Sequence, residues 1–467
     1  MRNFSNNLIM NKDKVTELSR IFEISRNDPN IITISATVDT GFEWTAIDEC
    51  REKISQHLRV FKDRGKIYFN IAISDFPKVE LLRSIDNIYL VADVQYLSYD
   101  KNDKDINLEL LKNLVNTNTQ LTKYLNAWKQ FIEFRGKIYP TLEEYTSTVQ
   151  SYKAEKEKRD DDLKDKSSVR GKRKRGADPS LCEENDVLSF RVTCERNGTH
   201  NFSSRDASGA LGGKFQDKFH WIVDLTSHQL EILCRIADNE TILNLRITPA
   251  SMHRRNIIDF GPTTLRATIC YNLLRLANPK PGDIIVDPMC GGGSIPIEAA
   301  LGINWAHIIG GDNHEKAIER SKANFEGLCK SYKSDIIQWN ITNLPFKDSS
   351  IDAIVTDMPF GKRIGSVANN KILYKKGLLE LVRVVRMKYG RLVLFTHDRR
   401  NITMAFKAVK DYIRIKKTLN ISMGGLTAVA YVLKRTNLAY NKFFMPAGES
   451  VKTLNTHKNP SNSSESD

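Results

Sequence analysis

The chain reads as an α/β protein in which a large, mainly parallel-sheet domain follows smaller α+β units, and three observations predict it. Between residues 255 and 436, six apolar segments (IIVDPMC, IIGGD, IIQWNI, IDAIVTD, RLVLFTH and VAYVLKR) alternate with helical stretches, as strands buried on both faces do. The first of them runs through Asp287-Pro-Met-Cys-Gly-Gly-Gly-Ser, a glycine turn opening a helix. Upstream, strands and helices alternate on a smaller scale.

Taken in order, residues 1–30 begin with the polar run MRNFSNNLIMNKDK, which has no signal-peptide core, and read as a tail. Residues 31–152 form the first α+β unit. IITISATV (31–38) alternates as a strand, and Trp44, Ile47, Cys50 and Ile54 then recur at helical spacing. KIYFNIAI (66–73), FPKVELLRSI (76–85) and NIYLVADVQYL (87–97) continue as strand, helix and strand. Residues 153–185 are dense in mixed charge and poor in apolar residues, so burial cannot offset their ordering entropy; a disordered insertion is expected. Its KRKR run (172–175) admits two readings, a nuclear import signal or a solvated loop. Order resumes with a second α+β unit, 186–250: a strand (VLSFRVTC), a helix (FSSRDASGALGGKFQDKFHW), then three strands. The large domain occupies 251–440, and the polar residues 441–467 read as a disordered tail.

At 467 residues the chain can bury sizeable cores. Lys and Arg (70) outnumber Asp and Glu (56), a formal net charge of +14, and the charged insertion accounts for only part of it. Such a field attracts polyanions, with RNA or DNA the economical partner. Seven scattered cysteines without a C-x-x-C pair point to a reducing compartment and against an intrinsic zinc site. No apolar run has the length of a membrane span. A cytosolic or nuclear location is the expectation.

The glycine turn lacks both the P-loop ending and the G-x-G-x-x-G spacing, which argues against a phosphate site. Asp287 at its strand end suits a cationic amino acid moiety, such as that of S-adenosylmethionine. Asp312, closing IIGGD, is placed to accept ribose hydroxyl hydrogens; its bland alternative is a helix cap. After the third strand, Asn340 and Ile341 would sit beside the adenine. Asp357-Met-Pro-Phe ends the fourth strand. The amine of a nucleobase is a poor nucleophile because its lone pair is delocalised into the ring. Accepting its two hydrogens on the Asp357 carboxylate and the Met358 carbonyl would turn that lone pair toward a methyl donor. Pro359 fixes the backbone and Phe360 offers a stacking face. No cysteine lies in residues 357–366, which disfavours thiol-based methylation of cytosine carbon, and Cys290 reads as a small buried neighbour. Lys362 and Arg363 either hold backbone phosphates or are solvated charge.

With ATVDTGFEWTAIDECREKI (36–54), RGKIYFNI (64–71), GGKFQDKFHWIVDLT (212–226), HRRNIIDFGPTTLRATICYNLLRL (253–276) and GGLTAVAYVLKRT (424–436), these motifs make the chain resemble the THUMP-domain tRNA guanine-N2-methyltransferases from about 36 to 436. The resemblance implies a ferredoxin-like domain (31–152), a THUMP domain that binds RNA (186–250) and a Rossmann-like class I methyltransferase domain (251–440). The implied product is N2-methylguanosine in the tRNA acceptor stem, commonly at position 6, made with S-adenosylmethionine. It also implies a small zinc-binding activator subunit as partner. Carried onto this sequence, Asp357, Pro359 and Phe360 form the catalytic loop. The cofactor pocket takes Thr264, Asp287, Met289, Cys290, Gly291, Gly293, Asp312, Asn313, Asn340 and Ile341. Arg254, Arg255, Lys362 and Arg363 are the candidate RNA contacts, and no metal ligand is expected.

Two departures stand out. Asn340 replaces a usual acidic residue, and its amide oxygen is expected to accept the adenine's hydrogen bond in weakened form. Gly292 replaces a usual Thr. Enzymes methylating adenine N6 or cytosine N4 would use the same loop, and an RNA-binding protein with a lapsed catalytic domain is the alternative of a different class.

Overall fold

The computed structural model describes residues 16–151, 186–303, 305–328, 334–361 and 367–440. The charged insertion with KRKR, the tail 441–467, and Lys362 and Arg363 lie outside the described residues.

Two sheets organise the chain. The first has eight strands: β1 (Ile31–Thr37), β2 (Val60–Asp63), β3 (Lys66–Ala72), β4 (Asn87–Tyr96), β5 (Ser189–Asn197), β6 (Ile222–Val223), β7 (Leu230–Ala237) and β8 (Glu240–Arg246). Their spatial order is β2-β3-β1-β4-β8-β7-β5-β6. The two α+β units of the sequence therefore share one sheet, stitched by antiparallel pairing of β4 with β8 from Tyr89↔Arg246 to Tyr96↔Glu240. Joining them removes the two open edges that separate sheets would present there.

Part of the expected N-terminal tail is structured. Helix α1 (Glu17–Asn27) is capped by Thr16, whose side chain accepts from the Ser19 N–H, and it buries Leu18 and Phe22. Helix α2 (Glu43–Lys53) packs against β2 and β3, and β1 is buried along its length although Thr33 and Ser35 are polar. Thr33 is reconciled with burial by donating to Asn70 Oδ1 at 2.7 Å. Helices α3 (Phe76–Glu80), α4 (Lys104–Thr117), α5 (Leu121–Phe131) and α6 (Ser204–Phe219) also belong to this half. The indole of Trp128 on α5 is buried and donates to the Arg246 carbonyl at 2.8 Å.

The second sheet comprises β9 (Ile284–Asp287), β10 (His307–Asp312), β11 (Ser334–Gln338), β12 (Ala353–Asp357), β13 (Arg391–Thr396), β14 (Ile413–Met423) and β15 (Leu426–Arg435). Its order is β11-β10-β9-β12-β13-β15-β14. Strands β9 to β13 are parallel, but β15 runs antiparallel to β13 and β14 to β15, so the sheet is mixed. Strand β14 escapes a search for apolar runs because it is mostly exposed and carries Arg414, Lys416 and Lys417. It joins β15 through a two-residue turn, Gly424-Gly425, at φ of +55° and +93°. Helices α7 (Ala267–Leu276), α8 (Ser294–Gly302), α9 (Glu315–Glu326), α10 (Val367–Val384) and α11 (Arg399–Ala408) cover this sheet. After β9 the chain builds outward through β10 to β11, then returns to the other side of β9 for β12. That reversal opens a crevice at the carboxyl ends of β9 and β12, where open α/β sheets bind ligands.

The halves are pinned together. Glu298 on α8, 1 % exposed, accepts from Arg83 at 2.8 Å and Arg255 at 3.0 Å, and from the Asn256 amide. Asp39 accepts from Arg266 at 3.0 Å, Thr268 donates to Asp86 at 2.7 Å, and the Ser422 N–H donates to the Thr40 carbonyl.

Candidate active site

The crevice is built by two turns. In the first, β9 delivers Asp287 into the interior, where its Oδ1 accepts the Met289 N–H at 3.2 Å. Burial, with a smaller push from Asp312, raises the Asp287 carboxyl to about 7. The chain then turns through Gly291 at φ +53° and Gly293 at φ +85°, and Gly293 becomes the N-cap of α8. A Cβ at Gly293 would run into Ser321 Oγ, whereas one at Gly291 would meet nothing within 4 Å. The surface over Gly291 is thus open, and a ligand can approach its backbone.

Asp312, at the end of β10, turns back toward this loop. Its Oδ2 accepts the Gly291 N–H at 3.1 Å and its Oδ1 the His314 N–H at 3.0 Å. Each oxygen retains a lone pair, so the carboxylate can hold the turn and still accept hydroxyl hydrogens. The N-cap of α9 is His314, without a side-chain cap bond, so the simple helix-cap alternative for Asp312 does not describe it. Neighbouring Asn313 is exposed. Cys290 is 6 % exposed, with its thiol pushed up by burial, and is a packed neighbour as the sequence suggested. Met289 is half-buried against the core.

Gly292, where a Thr is usual, has Arg320 lying over it; a Cβ there would stand 3.2 Å from the Arg320 Cδ. The same guanidinium approaches Gly261 and Asp259, so Arg320 links the turn to the 259–264 loop. Thr264 closes that loop by accepting the Gly261 N–H at 2.7 Å.

Asn340 requires a correction. Its amide oxygen already accepts both the N–H and the hydroxyl of Thr342, each at 2.9 Å, so it is committed to its own turn and is not the free acceptor expected for an adenine amine. Ile341 is buried beneath. Trp339, which the sequence reading passed over, donates from its indole to the Pro288 carbonyl at 3.1 Å and lies so close to Gly311 that no side chain fits there.

The second turn carries Asp357. Its Oδ1 is buried with no hydrogen-bond partner. Burial, and then the nearby Asp287 carboxyl, push Asp357 well above the usual carboxylate range. The loop behind it is held from two sides. The Met358 N–H donates to the Phe395 carbonyl at 2.8 Å. The Pro359 carbonyl accepts from the Tyr374 hydroxyl at 2.6 Å and from the Asn370 amide at 2.8 Å. Tyr374 also contacts Thr396 Oγ1 at 2.7 Å, and Asn370 donates to Asp398 at 3.2 Å. With both lone pairs of Pro359 taken, the preceding Met358 carbonyl is the backbone acceptor left for a substrate. Phe360 is half-buried, its ring 6.1 Å from Phe395 and 5.9 Å from His397.

Tyr374, Asn370 and His397 were not found from the sequence, because α10 and the end of β13 reach the loop only through the fold. Of the cations expected to meet RNA, Arg254 is exposed. Arg255 is corrected: its guanidinium spans Glu298 and the Arg83 carbonyl, and serves the join between the halves.

Buried carboxyls that would be relieved by a cation, an open glycine turn and an unpartnered Asp357 oxygen fit an S-adenosylmethionine crevice with an amine-bearing base beside it. Comparison with known proteins agrees. Residues 254–428 match the RMKL-like methyltransferase domain and residues 174–246 the THUMP domain. The chain is 40% identical to mouse tRNA (guanine(6)-N(2))-methyltransferase THUMP3, covering 88% of this chain and 90% of that one. The human THUMP3 enzyme is 38% identical over 88% of this chain and 89% of its own length. Among solved structures, TrmN from Thermus thermophilus superposes with a TM-score of 0.62 at 18% identity, covering 86% of this chain and 99% of that one. SMU.472, solved in complex with SAH, gives 0.60 at 15% identity, covering 86% and 98%.

Proposed function

Since the chain belongs to the THUMP3 tRNA (guanine(6)-N(2))-methyltransferase family, we propose that it forms N2-methylguanosine at position 6 of the tRNA acceptor stem. The observation that carries this reading is the Asp357 Oδ1 oxygen, buried and without a hydrogen-bond partner at the end of β12.

S-adenosylmethionine, when bound, supplies an electrophilic methyl group. Asp287 would hold its ammonium group and Asp312 its ribose hydroxyls, while the turn at Gly291 leaves room for its approach. Burial raises the Asp287 and Asp357 carboxyls, and a cation held between them would favour their charged forms. The charged Asp357 and the Met358 carbonyl then accept the two hydrogens of the guanine amine, directing its lone pair outward. Asp357 takes the proton released after transfer. The base must leave its stem to reach this depth, and Phe360 gives it a face to stack on.

The partner proposed beyond tRNA is the small zinc-binding activator subunit. Its support is the family resemblance, together with an open sheet edge at β11, where Ile337 is 40% exposed. Arg254, and Lys362 and Arg363, which follow Asp357-Met-Pro-Phe in the sequence, are proposed RNA contacts. A cytoplasmic location, with nuclear entry through KRKR, is proposed from composition and is checked by imaging a tagged chain with KRKR intact or changed to alanines.

The direct test incubates the protein, alone and with the activator, with unmodified tRNA and S-adenosylmethionine, followed by mass spectrometry of the nucleosides. N2-methylguanosine that disappears in Asp357→Ala supports the reading. A different methylated base overturns the specificity, and no product with tRNA binding intact identifies an RNA-binding protein instead.

A further inference from the structure

The loop chemistry by itself does not choose a base, because guanine, adenine and cytosine all carry an exocyclic amine. They differ one atom away. Beside its amine, guanine presents N1 with a hydrogen, whereas the corresponding ring nitrogens of adenine and cytosine are bare acceptors. A hydrogen-bond acceptor held next to the amine pocket therefore favours guanine and repels the other two.

His397 is such an acceptor. In the parallel pairing of β12 and β13, Asp357 lies opposite Phe395, and two residues further on His397 comes level with Pro359. Its ring is 5.9 Å from that of Phe360, the proposed stacking surface. Its Nδ1 lies 2.6 Å from the Thr427 carbonyl on β15. A carbonyl only accepts, so Nδ1 carries the hydrogen, and in the neutral ring Nε2 is left with a lone pair. Among the described residues nothing bonds to Nε2, and the ring is half-exposed. The side chains flanking it are held, Thr396 by Tyr374, and Asp398 by Asn370 and Asn401.

We propose that His397 is a specificity-determining residue whose Nε2 accepts the N1 hydrogen of the target guanine. The inference rests on the function proposed above and adds the atom by which guanine is chosen.

The test uses the full chain with the activator subunit and acceptor-stem RNA carrying guanine or 2-aminopurine at the target position. 2-Aminopurine keeps the 2-amino group, but its N1 bears no hydrogen. His397→Asn retains a donor for the Thr427 carbonyl and deletes the Nε2 position, while His397→Gln places an oxygen near it. The wild type should prefer guanine in kcat/KM. In His397→Asn that preference should fall by about 10–100-fold, the loss falling on guanine alone, and His397→Gln should retain part of it. Loss of both substrates equally, or an unchanged preference, overturns the inference and leaves His397 as a tie between β13 and β15. A wild type that methylates other nucleosides but makes no N2-methylguanosine overturns the premise, and the inference with it.

Discussion

The two turns of the crevice handle their carboxylates in opposite ways. At the cofactor side, Asp312 accepts two backbone N–H groups and Asp287 one, so the acids hold the protein's own shape while keeping capacity for a ligand. At the base side, the backbone is tied down by Tyr374, Asn370 and Phe395, and Asp357 is left with a buried oxygen that nothing satisfies. Folding is served on one side and deferred on the other. A cofactor can be met by groups already at rest, whereas a weak nucleophile needs acceptors with no other engagement.

The contrast can be broken most severely at Asp357. Asp357→Ala should lower kcat by about 10²–10⁴-fold while the melting temperature stays level or rises, because a buried, unpaired carboxyl oxygen is removed. A matching fall in stability would mean that Asp357 is structural. Asp312→Ala should do the reverse, leaving two N–H groups without their acceptor. It is expected to cost about 1–3 kcal/mol in denaturant unfolding and to weaken S-adenosylhomocysteine binding by at least roughly tenfold by calorimetry. Tyr374→Phe keeps the ring and removes one of the two bonds to the Pro359 carbonyl. Its kcat should fall about tenfold with S-adenosylhomocysteine affinity unchanged; a change in affinity instead would show that the loop and the cofactor turn are not separable.

The smallest effect is in pH dependence. Asp287 is raised to about 7 in the folded protein, so its contribution to stability is fully present below the ordinary carboxylate pKa and is lost as pH rises through about 7. Melting temperatures of the ligand-free protein between pH 5 and 8 should fall more steeply for the wild type than for Asp287→Asn. Parallel curves would remove the electrostatic argument for an ammonium site.

How much of this was legible in the sequence follows from where the information resides. Asp287, Asp312 and Asp357 each terminate an apolar strand, so composition and position coincide and all three stand out in the sequence. The turn at Gly291 and Gly293 is legible because the chain leaves a strand and enters a helix within a few residues. Tyr374 and Asn370 look like ordinary members of an amphipathic helix until α10 is laid across the Pro359 carbonyl. Arg255 was misread because its partner Glu298 is 43 positions away and its third contact, the Arg83 carbonyl, 172. Asn340 looked free because a side chain's commitment to its own turn leaves no mark on apolar periodicity. Strand β14 was missed for the converse reason, being an edge strand whose outward residues are charged.

The Glu298 cluster has one more consequence. A carboxylate that is 1 % exposed draws one of its guanidinium partners, Arg83, from the other half of the chain, and Thr268 is bonded to Asp39 and Asp86 across the same boundary. Cut away at residue 250, the catalytic half would keep the acid and lose that cation, and would bare a face shaped by another sheet. It is therefore no interchangeable module. A different front end grafted to it would have to supply a cation in place of Arg83 for Glu298.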